Sequence, residues 1–228
     1  MAKPGESSHT AVGVDLHKTY SRRFNGQELR RREVWETLNR HFFQQWIDPA
    51  ATILDLGAGY CEFINSVQAK QKLALDLNPA TVDHSTEGVR VLAQDVSETW
   101  DILSLSVDVL FTSNFLEHLT SKEQLAHCLR EASRILKPGG RFIALGPNIR
   151  FAYKEYWDFF DHYLPLSDRS LVEALELNGF KTELVIPRFL PFTMRGRPPS
   201  HPLFVRLYLA FPIAWRLLGK QFLIVASK

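Results

Sequence analysis

The stretch between residues 52 and 63, Thr-Ile-Leu-Asp-Leu-Gly-Ala-Gly-Tyr-Cys-Glu-Phe, constrains the fold more than any other part of the sequence. A short apolar run containing one acidic residue leads into two glycines one position apart, and a new amphipathic segment follows. This order predicts a buried strand, a tight turn and a helix whose free N–H groups point at the turn. Because Gly57 and Gly59 allow close approach of the backbone, we expect a nucleotide-type site here.

The spacing of the glycines narrows the choice of ligand. A dinucleotide-binding turn uses G-x-G-x-x-G or G-x-G-x-x-A, whereas the sixth position here is Glu62, an anion where a pyrophosphate would lie. This disfavours a nucleotide-dependent oxidoreductase, which stays as an alternative from a different functional class. A non-catalytic cofactor-binding module is the other alternative, and the intact acidic and glycine positions argue against it.

Strands and helices are predicted to alternate along the chain. Apolar runs at 52–56, 73–77, 89–93, 107–111 and 141–145 read as strands, and further strands are expected near 183–186 and 221–226. Helical spacing separates several of them, most clearly between Thr120 and Leu136. This alternation predicts an α/β fold with a Rossmann-like, doubly wound, mostly parallel sheet and helices on both faces.

Polar residues follow four of the predicted strands, where ligands bind in such sheets. They are Asp55, Asp76, Asp95 and the pair Ser113-Asn114. Asp76 lies 21 positions after Asp55, so it is placed to accept hydrogen bonds from both hydroxyls of a ribose. A turn or helix-capping role is the alternative for Asp76, because Asn78-Pro79 follows it.

Several motifs together resemble the class I S-adenosylmethionine-dependent methyltransferases, in particular the type 11 methyltransferase-domain group. The motifs are Ile53 to Gly59, Leu75-Asp76-Leu77, Gln94-Asp95-Val96, Val107 to Leu119 and Arg134 to Arg141. The resemblance implies a seven-stranded sheet with an antiparallel last strand, and S-adenosyl-L-methionine as the cofactor. It further implies cofactor-binding roles, listed by part of the ligand: Asp55, Gly57 and Gly59 at the methionine, Asp76 and Leu77 at the ribose, Asp95 and Val96 at the adenine, and Ser113 and Asn114 beside the methyl group.

Histidines are the natural general bases for a hydroxyl acceptor near neutral pH. His118 follows the fourth strand, and His162 lies in an aromatic stretch with Asp158 and Asp161, either of which could be a base or an orienting partner. The alternatives are a capping role for His118 and a packing role for His162. No histidine has a metal-ligand spacing, so the sequence predicts no metal.

The sequence indicates more clearly which methyl acceptors are disfavoured than which one is used. Ser113-Asn114-Phe115-Leu116 replaces the Asn/Asp-Pro-Pro-Tyr type motif of enzymes that methylate nucleic-acid amines. The stretch from Asn148 to Phe180 resembles methyltransferases of bacterial surface-polysaccharide biosynthesis. We therefore expect a hydroxyl on a small or lipid-linked acceptor, with a surface glycan favoured. RNA is the alternative, because residues 181–228 hold eight basic residues against one acidic residue, Glu183.

The chain is expected to divide into an N-terminal tail and amphipathic helix, residues 1–48, which cover the cofactor site, and a methyltransferase domain, residues 49–228. Acceptor-side segments are expected at 147–166 and 187–219, and Tyr20 and Phe24 are candidates for a lid. Two cysteines and no secretory signal indicate a cytoplasmic setting. Residues 202–218 mix arginines with large apolar residues, which allows peripheral contact with the inner membrane face. A helical lid or a dimer surface is the alternative, and the oligomeric state is not predicted.

Overall fold

The structure, a computed structural model, describes residues 26, 28–192 and 201–228. Seven strands form one sheet in the order β3-β2-β1-β4-β5-β7-β6. The strands are β1 (Thr52–Leu56), β2 (Gln71–Asp76), β3 (Val89–Ala93), β4 (Val107–Ser113), β5 (Leu136–Pro147), β6 (Lys181–Ile186) and β7 (Gln221–Ser227). Pairs among β1 to β5 are parallel, and β7 is antiparallel to both neighbours. The predicted fold class is confirmed.

Eight helices of the described residues accompany the sheet. They are α1 (Glu28–His41), α2 (Glu62–Ser66), α3 (Ala80–His84), α4 (Lys122–Ile135), α5 (Ile149–Ala152), α6 (Asp168–Leu177), α7 (Pro202–Ala210) and α8 (Pro212–Leu218). Short 3-10 turns lie at Phe43–Trp46, Leu116–His118 and Tyr156–Asp158. None of these described helices is long and apolar enough to cross a membrane.

Alternating residues of each strand point to opposite faces of the sheet and contribute to two separate hydrophobic cores. On one face, Leu54 and Leu110 pack with Leu129 of α4 and Leu171 of α6. On the other face, Ile53, Val109 and Phe111 pack with α1 and α7. Since successive side chains of a strand point to opposite faces, apolar runs without alternation are what a sheet covered on both sides requires.

The fifth strand begins earlier than the sequence pattern predicts. Val107 pairs with Leu136, but Val109 pairs with Arg141, so a run containing Pro138 and two glycines bulges out of the ladder. The backbone of this bulge is held by the end of the chain, because Gly139 N donates to Lys228 O and Lys228 N donates to Gly140 O. A contact between residues so far apart in sequence is not visible in local periodicity.

An ion pair, hydrogen bonds and aromatic contacts hold the first helix against the glycine-turn region. Arg31 Nε lies 2.6 Å from Glu62 Oε1, and Asn39 Nδ2 donates to Phe63 O and Ser66 Oγ. Trp35 packs edge-on against Phe63 and Phe111. These contacts place α1 beside α2, the helix that follows the turn. The proposed lid residues Tyr20 and Phe24 lie outside the described residues.

Candidate active site

The turn after β1 adopts the left-handed backbone conformations that glycine favours. Gly57 has φ +72° and Gly59 φ +53°, and Gly57 N donates to Leu75 O at 2.8 Å. A Cβ at position 57 would lie 2.3 Å from the ring of Phe115. Both the backbone conformation and the close approach of Phe115 therefore require glycine at this position.

Asp76 ties the end of β2 to this turn. Its Oδ2 accepts a hydrogen bond from Gly59 N at 2.7 Å, and its Oδ1 accepts one from Asn78 N at 2.8 Å. Each carboxylate oxygen can accept a second bond, so the carboxylate is oriented by backbone groups and still has capacity for ligand hydroxyls. Burial raises the pKa of Asp76, while the two backbone N–H groups and the nearby His118 oppose that rise.

Asp55 is a second buried carboxyl group at the same edge of the sheet, with 3% of its surface exposed. Burial raises its pKa well above the ordinary range, and the charges of Asp76 and Glu62 raise it further. Burial and the same acidic neighbours raise the pKa of the Cys61 thiol to about 12, so this thiol is protonated at neutral pH. A cationic ligand bound beside these acidic groups would favour their ionised forms and lower their pKa values.

The remaining cofactor candidates lie at the ends of β2, β3 and β4. Asp95 Oδ1 accepts from Ser97 N and Ser97 Oγ, and Asn114, with φ +50°, donates from Nδ2 to Ser113 Oγ. Leu77 is exposed, while Val96 is half-buried against one core. All the predicted cofactor residues therefore lie at or just beyond the carboxyl ends of parallel strands, at one edge of the sheet. Their individual roles stay predictions.

His118 lies on the 3-10 turn that follows β4. Its Nδ1 is 2.7 Å from Asp161 O and 3.4 Å from Asp161 Oδ2. A carbonyl oxygen only accepts hydrogen bonds, so Nδ1 carries the proton and, in the neutral ring, Nε2 keeps the lone pair. The side chain is about one-quarter exposed (26%). Asp161 therefore orients His118 with Nε2 as its basic atom.

His162 is buried among aromatic rings. It stacks on Phe159 at 4.8 Å, lies 4.7 Å from the Tyr156 ring and is edge-on to His118 at 5.0 Å, measured between ring centroids. The structure thus brings together the two predicted histidines. Asp158 is exposed on the neighbouring 3-10 turn, and Asp161 is the carboxylate that lies beside His118.

Two further residues of this cluster were not singled out from the sequence. Glu117 is buried, and its backbone oxygen accepts from Tyr163 N and Leu164 N. Tyr156 is fully buried, and its hydroxyl has no hydrogen-bond partner within the described part of the chain. Burial and the charge of Glu117 raise the pKa of this phenol. In the sequence, Glu117 is marked only by its position directly before His118, and Tyr156 only by its place in a stretch rich in aromatic residues.

Glu117, His118 and His162 also bring their ligand atoms within 4.8 Å of one another, a grouping that could hold a metal ion. The predicted absence of a metal was based on local ligand spacing. Such spacing cannot reveal this group, because His118 and His162 are far apart in the sequence. Removal of metal ions is therefore a necessary control in any test of His118 as a base.

Comparisons with known proteins agree with this geometry. Residues 54–144 match the family described as "Methyltransferase domain". No curated protein sequence matches the chain. Among solved structures, an S-adenosylmethionine-dependent methyltransferase from Archaeoglobus fulgidus is 19% identical with a TM-score of 0.66, covering 94% of this chain and 100% of its own.

Two other solved structures are similar over nearly their whole length. The methyltransferase in complex with the Haloferax volcanii Trm112 methyltransferase activator is 19% identical with a TM-score of 0.69, covering 95% of this chain and 99% of its own. An S-adenosylmethionine-dependent methyltransferase from Thermotoga maritima is 16% identical with a TM-score of 0.65, covering 93% and 98%. At these identities the structures show a shared fold.

The family match carries the identification further than the fold alone. It extends from β1 into β5 and includes the glycine turn, Asp76, Asp95 and the segment around His118. Residues 54–144 therefore form a methyltransferase domain, and this match together with the shared fold supports a methyltransferase that uses S-adenosyl-L-methionine as its cofactor.

Proposed function

We propose that this enzyme transfers the methyl group of S-adenosyl-L-methionine to a hydroxyl group of a small or lipid-linked acceptor, with a bacterial surface glycan as the favoured acceptor. The observation that carries the proposal is the contact between His118 Nδ1 and Asp161 O at 2.7 Å. It leaves Nε2 of an oriented histidine available as a base, at the edge of the sheet where the cofactor candidates lie.

The residues at the glycine turn fit the cofactor in charge and in hydrogen-bonding capacity. S-adenosyl-L-methionine supplies an activated methyl group on a cationic sulfonium. Asp55 and Asp76 are buried carboxyl groups at this edge, a sulfonium cation beside them would favour their ionised forms, and Asp76 has acceptor capacity left for ribose hydroxyls. We propose that Gly57 and Gly59 hold the methionine part, Asp95 and Val96 the adenine, and Ser113 and Asn114 the side next to the methyl group, with Leu77 beside the ribose.

A hydroxyl acceptor must lose its proton during the transfer, which is where a general base contributes. In the proposed step, the O–H proton of the acceptor would move to His118 Nε2 as the oxygen takes the methyl group, and the C–S bond of the sulfonium would break to leave neutral S-adenosylhomocysteine. The Asp161 carbonyl and carboxylate keep Nδ1–H in place and stabilise the positive charge that develops on the ring. His162 and Asp161 act as positioning residues in this scheme, and Asp158 is a weaker candidate because it is exposed.

The surroundings of the histidines favour a sugar-like acceptor. Phe159 stacks on His162, and Phe192 packs edge-on against Phe159 at 5.6 Å. Aromatic faces bind sugar rings by apolar contact.

RNA is the less favoured acceptor, because several basic residues of the C-terminal quarter have internal partners. Arg188 donates from Nε to Gly219 O and from Nη2 to Leu217 O, Lys220 pairs with Glu155, and Lys228 donates to Leu136 O. These groups stabilise the fold around β7, so fewer cations than the sequence count suggests remain for phosphates.

Two aspects of the domain organisation are part of the proposal. We propose that residues 1–48 cover the cofactor site, since the Arg31–Glu62 ion pair fixes α1 next to the helix that begins after the glycine turn. The segments 147–166 and 187–219 are proposed to form the acceptor side, which the contact between Phe159 and Phe192 supports.

The acceptor class can be tested with the purified full-length protein and methyl-labelled S-adenosyl-L-methionine. The enzyme is incubated with glycolipid, soluble and RNA fractions extracted from cells that lack the gene. We expect label in a glycolipid or soluble product, in a methyl ether that resists mild alkali. Label confined to RNA, or to an amine, would overturn the proposed acceptor and leave the cofactor assignment intact.

A further inference from the structure

We propose that α7 and α8 form a membrane-docking surface that binds anionic lipid. Across these two helices and their junction, seven large apolar side chains face solvent: Leu203, Phe204, Leu207, Phe211, Ile213, Leu217 and Leu218. Ile213 and Leu217 expose 74% and 70% of their surface. Single exposed apolar residues are common on soluble proteins, but seven of them on two helices in contact mark an interaction site.

The exposed face is presented by a firmly attached pair of helices. Val205, Tyr208 and Leu209 on the opposite side of α7 are buried in the core next to α1. Tyr208 donates its hydroxyl hydrogen to Phe189 O, and Trp215 Nε1 donates to Tyr208 O at 2.8 Å. The buried side chains therefore fix the orientation of α7, and the exposed apolar side chains are held on the side that faces solvent.

The rest of α8 is fixed in the same way. The Trp215 ring packs on Phe42 and Phe189 at centroid distances of 5.7 and 5.1 Å. The guanidinium of Arg188 donates to the backbone oxygens of Leu217 and Gly219 at the end of the helix. These bonds satisfy carbonyl groups that a helix end would otherwise leave open.

The charges within this surface identify the occupant. Arg206 and Arg216 are exposed among the apolar side chains, and residues 201–218 contain no acidic residue. An amphipathic surface of arginines and large apolar residues suits the interface of a bilayer, where the apolar groups enter the acyl boundary and the arginines reach anionic headgroups. An anionic bilayer therefore accounts for both the apolar side chains and the arginines of this surface.

A second copy of the chain is less suitable as occupant. A two-fold interface brings the same patch of both copies together. Arg206 and Arg216 of each copy would then be desolvated against a surface that has no carboxylate between positions 201 and 218. Uncompensated charges of this kind oppose association.

The surface lies within the second proposed acceptor-side segment, 187–219, and is linked to the first. Lys220, two residues after α8, forms an ion pair with Glu155, which lies next to the fully buried Tyr156 of the histidine cluster. If the acceptor is lipid-linked, a part of this inference that rests on the proposed function, docking through α7 and α8 would bring the acceptor side close to the bilayer. Vesicle binding itself does not depend on methyl transfer.

Co-sedimentation with vesicles tests the proposal without cofactor or acceptor. The full chain is mixed with vesicles of phosphatidylcholine alone or of phosphatidylcholine with phosphatidylglycerol. We expect binding to the anionic vesicles that weakens as salt is added. The double variant Ile213→Asp/Leu217→Asp should bind at least about tenfold less, since each apolar side chain that enters the bilayer contributes a factor of about ten.

Matched variants separate the two components of binding. Leu177→Asp places one such charge at a similarly exposed leucine on α6 and should bind like the parent, whereas Leu217→Asp alone should bind more weakly. Arg206→Gln/Arg216→Gln should lose about fivefold per arginine on anionic vesicles only, while Arg130→Gln/Arg169→Gln, at exposed arginines elsewhere, should not.

Three outcomes would overturn the proposal. They are no binding to anionic vesicles by the parent, equal loss in Leu177→Asp, and a dimer in light scattering that Ile213→Asp/Leu217→Asp dissociates. Circular dichroism and thermal unfolding of each variant verify that it is folded. A failure of methyl transfer would leave these results unaffected, so the two proposals can fail separately.

Discussion

The proposed cofactor side and the proposed acceptor side of this enzyme are positioned by different kinds of contact. At the cofactor side, backbone groups orient the carboxylate of Asp76, and the glycines supply the conformations that the turn needs. At the acceptor side, His118 and His162 come from separate segments and meet through a ring contact and through Asp161. The first arrangement is encoded locally, whereas the second depends on tertiary packing. A common fold can therefore keep its methyl donor while its acceptor changes.

Among the variants that test this difference between the two sides, the largest effect is expected at His118. His118→Gln should lower kcat by about 10²- to 10⁴-fold, because it removes the proposed base. The dissociation constant of S-adenosylhomocysteine should stay unchanged in calorimetric titration. His41→Gln, at an exposed histidine at the end of α1, is the matched control and should behave like the parent.

Metal dependence decides between two uses of the same cluster. With His118 as base, prior dialysis against EDTA should change kcat by no more than about twofold. Loss of activity that returns with one divalent cation would instead assign Glu117, His118 and His162 as ligands, and would contradict the base mechanism.

The next effect is on cofactor affinity. Asp76→Ala removes charged hydrogen-bond acceptors from the ribose position and from Gly59 N, so S-adenosylhomocysteine should bind about 100-fold more weakly, at about 1.5–3 kcal/mol per charged bond. Ser97→Ala, which alters only the turn beside Asp95, should cost much less. Calorimetric titration measures both. An Asp76→Ala affinity within threefold of the parent would remove Asp76 from the cofactor site.

A smaller effect concerns stability at the glycine turn. Gly57→Ala should destabilise the protein by about 3 kcal/mol, from the positive φ and the overlap with Phe115. Gly88→Ala has the same φ problem at +89° but no atom within 4 Å of the new Cβ, so about 1 kcal/mol is expected. Urea unfolding of the two variants isolates the steric part. Equal losses would show that Phe115 does not constrain position 57.

The smallest effect is the pH dependence of stability. The raised pKa of Asp55 means that the folded state holds its proton more tightly than the unfolded state. Its contribution is therefore favourable below the unfolded pKa and is lost as pH rises through the folded pKa. Without cofactor at pH 7, Asp55→Asn should unfold about 2–4 °C higher, the shift given by about 1 kcal/mol in a chain of this size. Adding S-adenosylhomocysteine should stabilise the variant less than the parent, as a thermal melt would show.

The features readable from the sequence are those set by near neighbours. Strand β3 coincides with its predicted bounds, and Asp76 follows from its distance to the glycine turn. Thr120 and Glu123 have the spacing of a capping box, but Ser121 caps α4 and accepts from Gln124 N, while Gln124 Oε1 accepts from Thr120 N. Several capping residues in a row leave the helix start undetermined by sequence.

The features that could not be read are those made by distant partners. Asp161, rather than Asp158, lies beside His118 because the chain turns again after Tyr156–Asp158, and residue types alone do not show that turn. The early start of β5 depends on pairing with Lys228. The apolar run 202–218 gave no indication of which side chains face outward, since its two short helices meet at Phe211.

The claim that His118 supports methyl transfer to a hydroxyl acceptor is tested most directly by complementing a deletion strain. A strain lacking the gene is complemented with the parent or with His118→Gln, and its glycolipid, soluble and RNA fractions are compared by mass spectrometry. We predict that the deletion lowers the mass of a glycolipid or soluble glycan by one methyl group on oxygen, and that only the parent restores it. A methyl group missing from RNA, or full restoration by His118→Gln, would contradict the account.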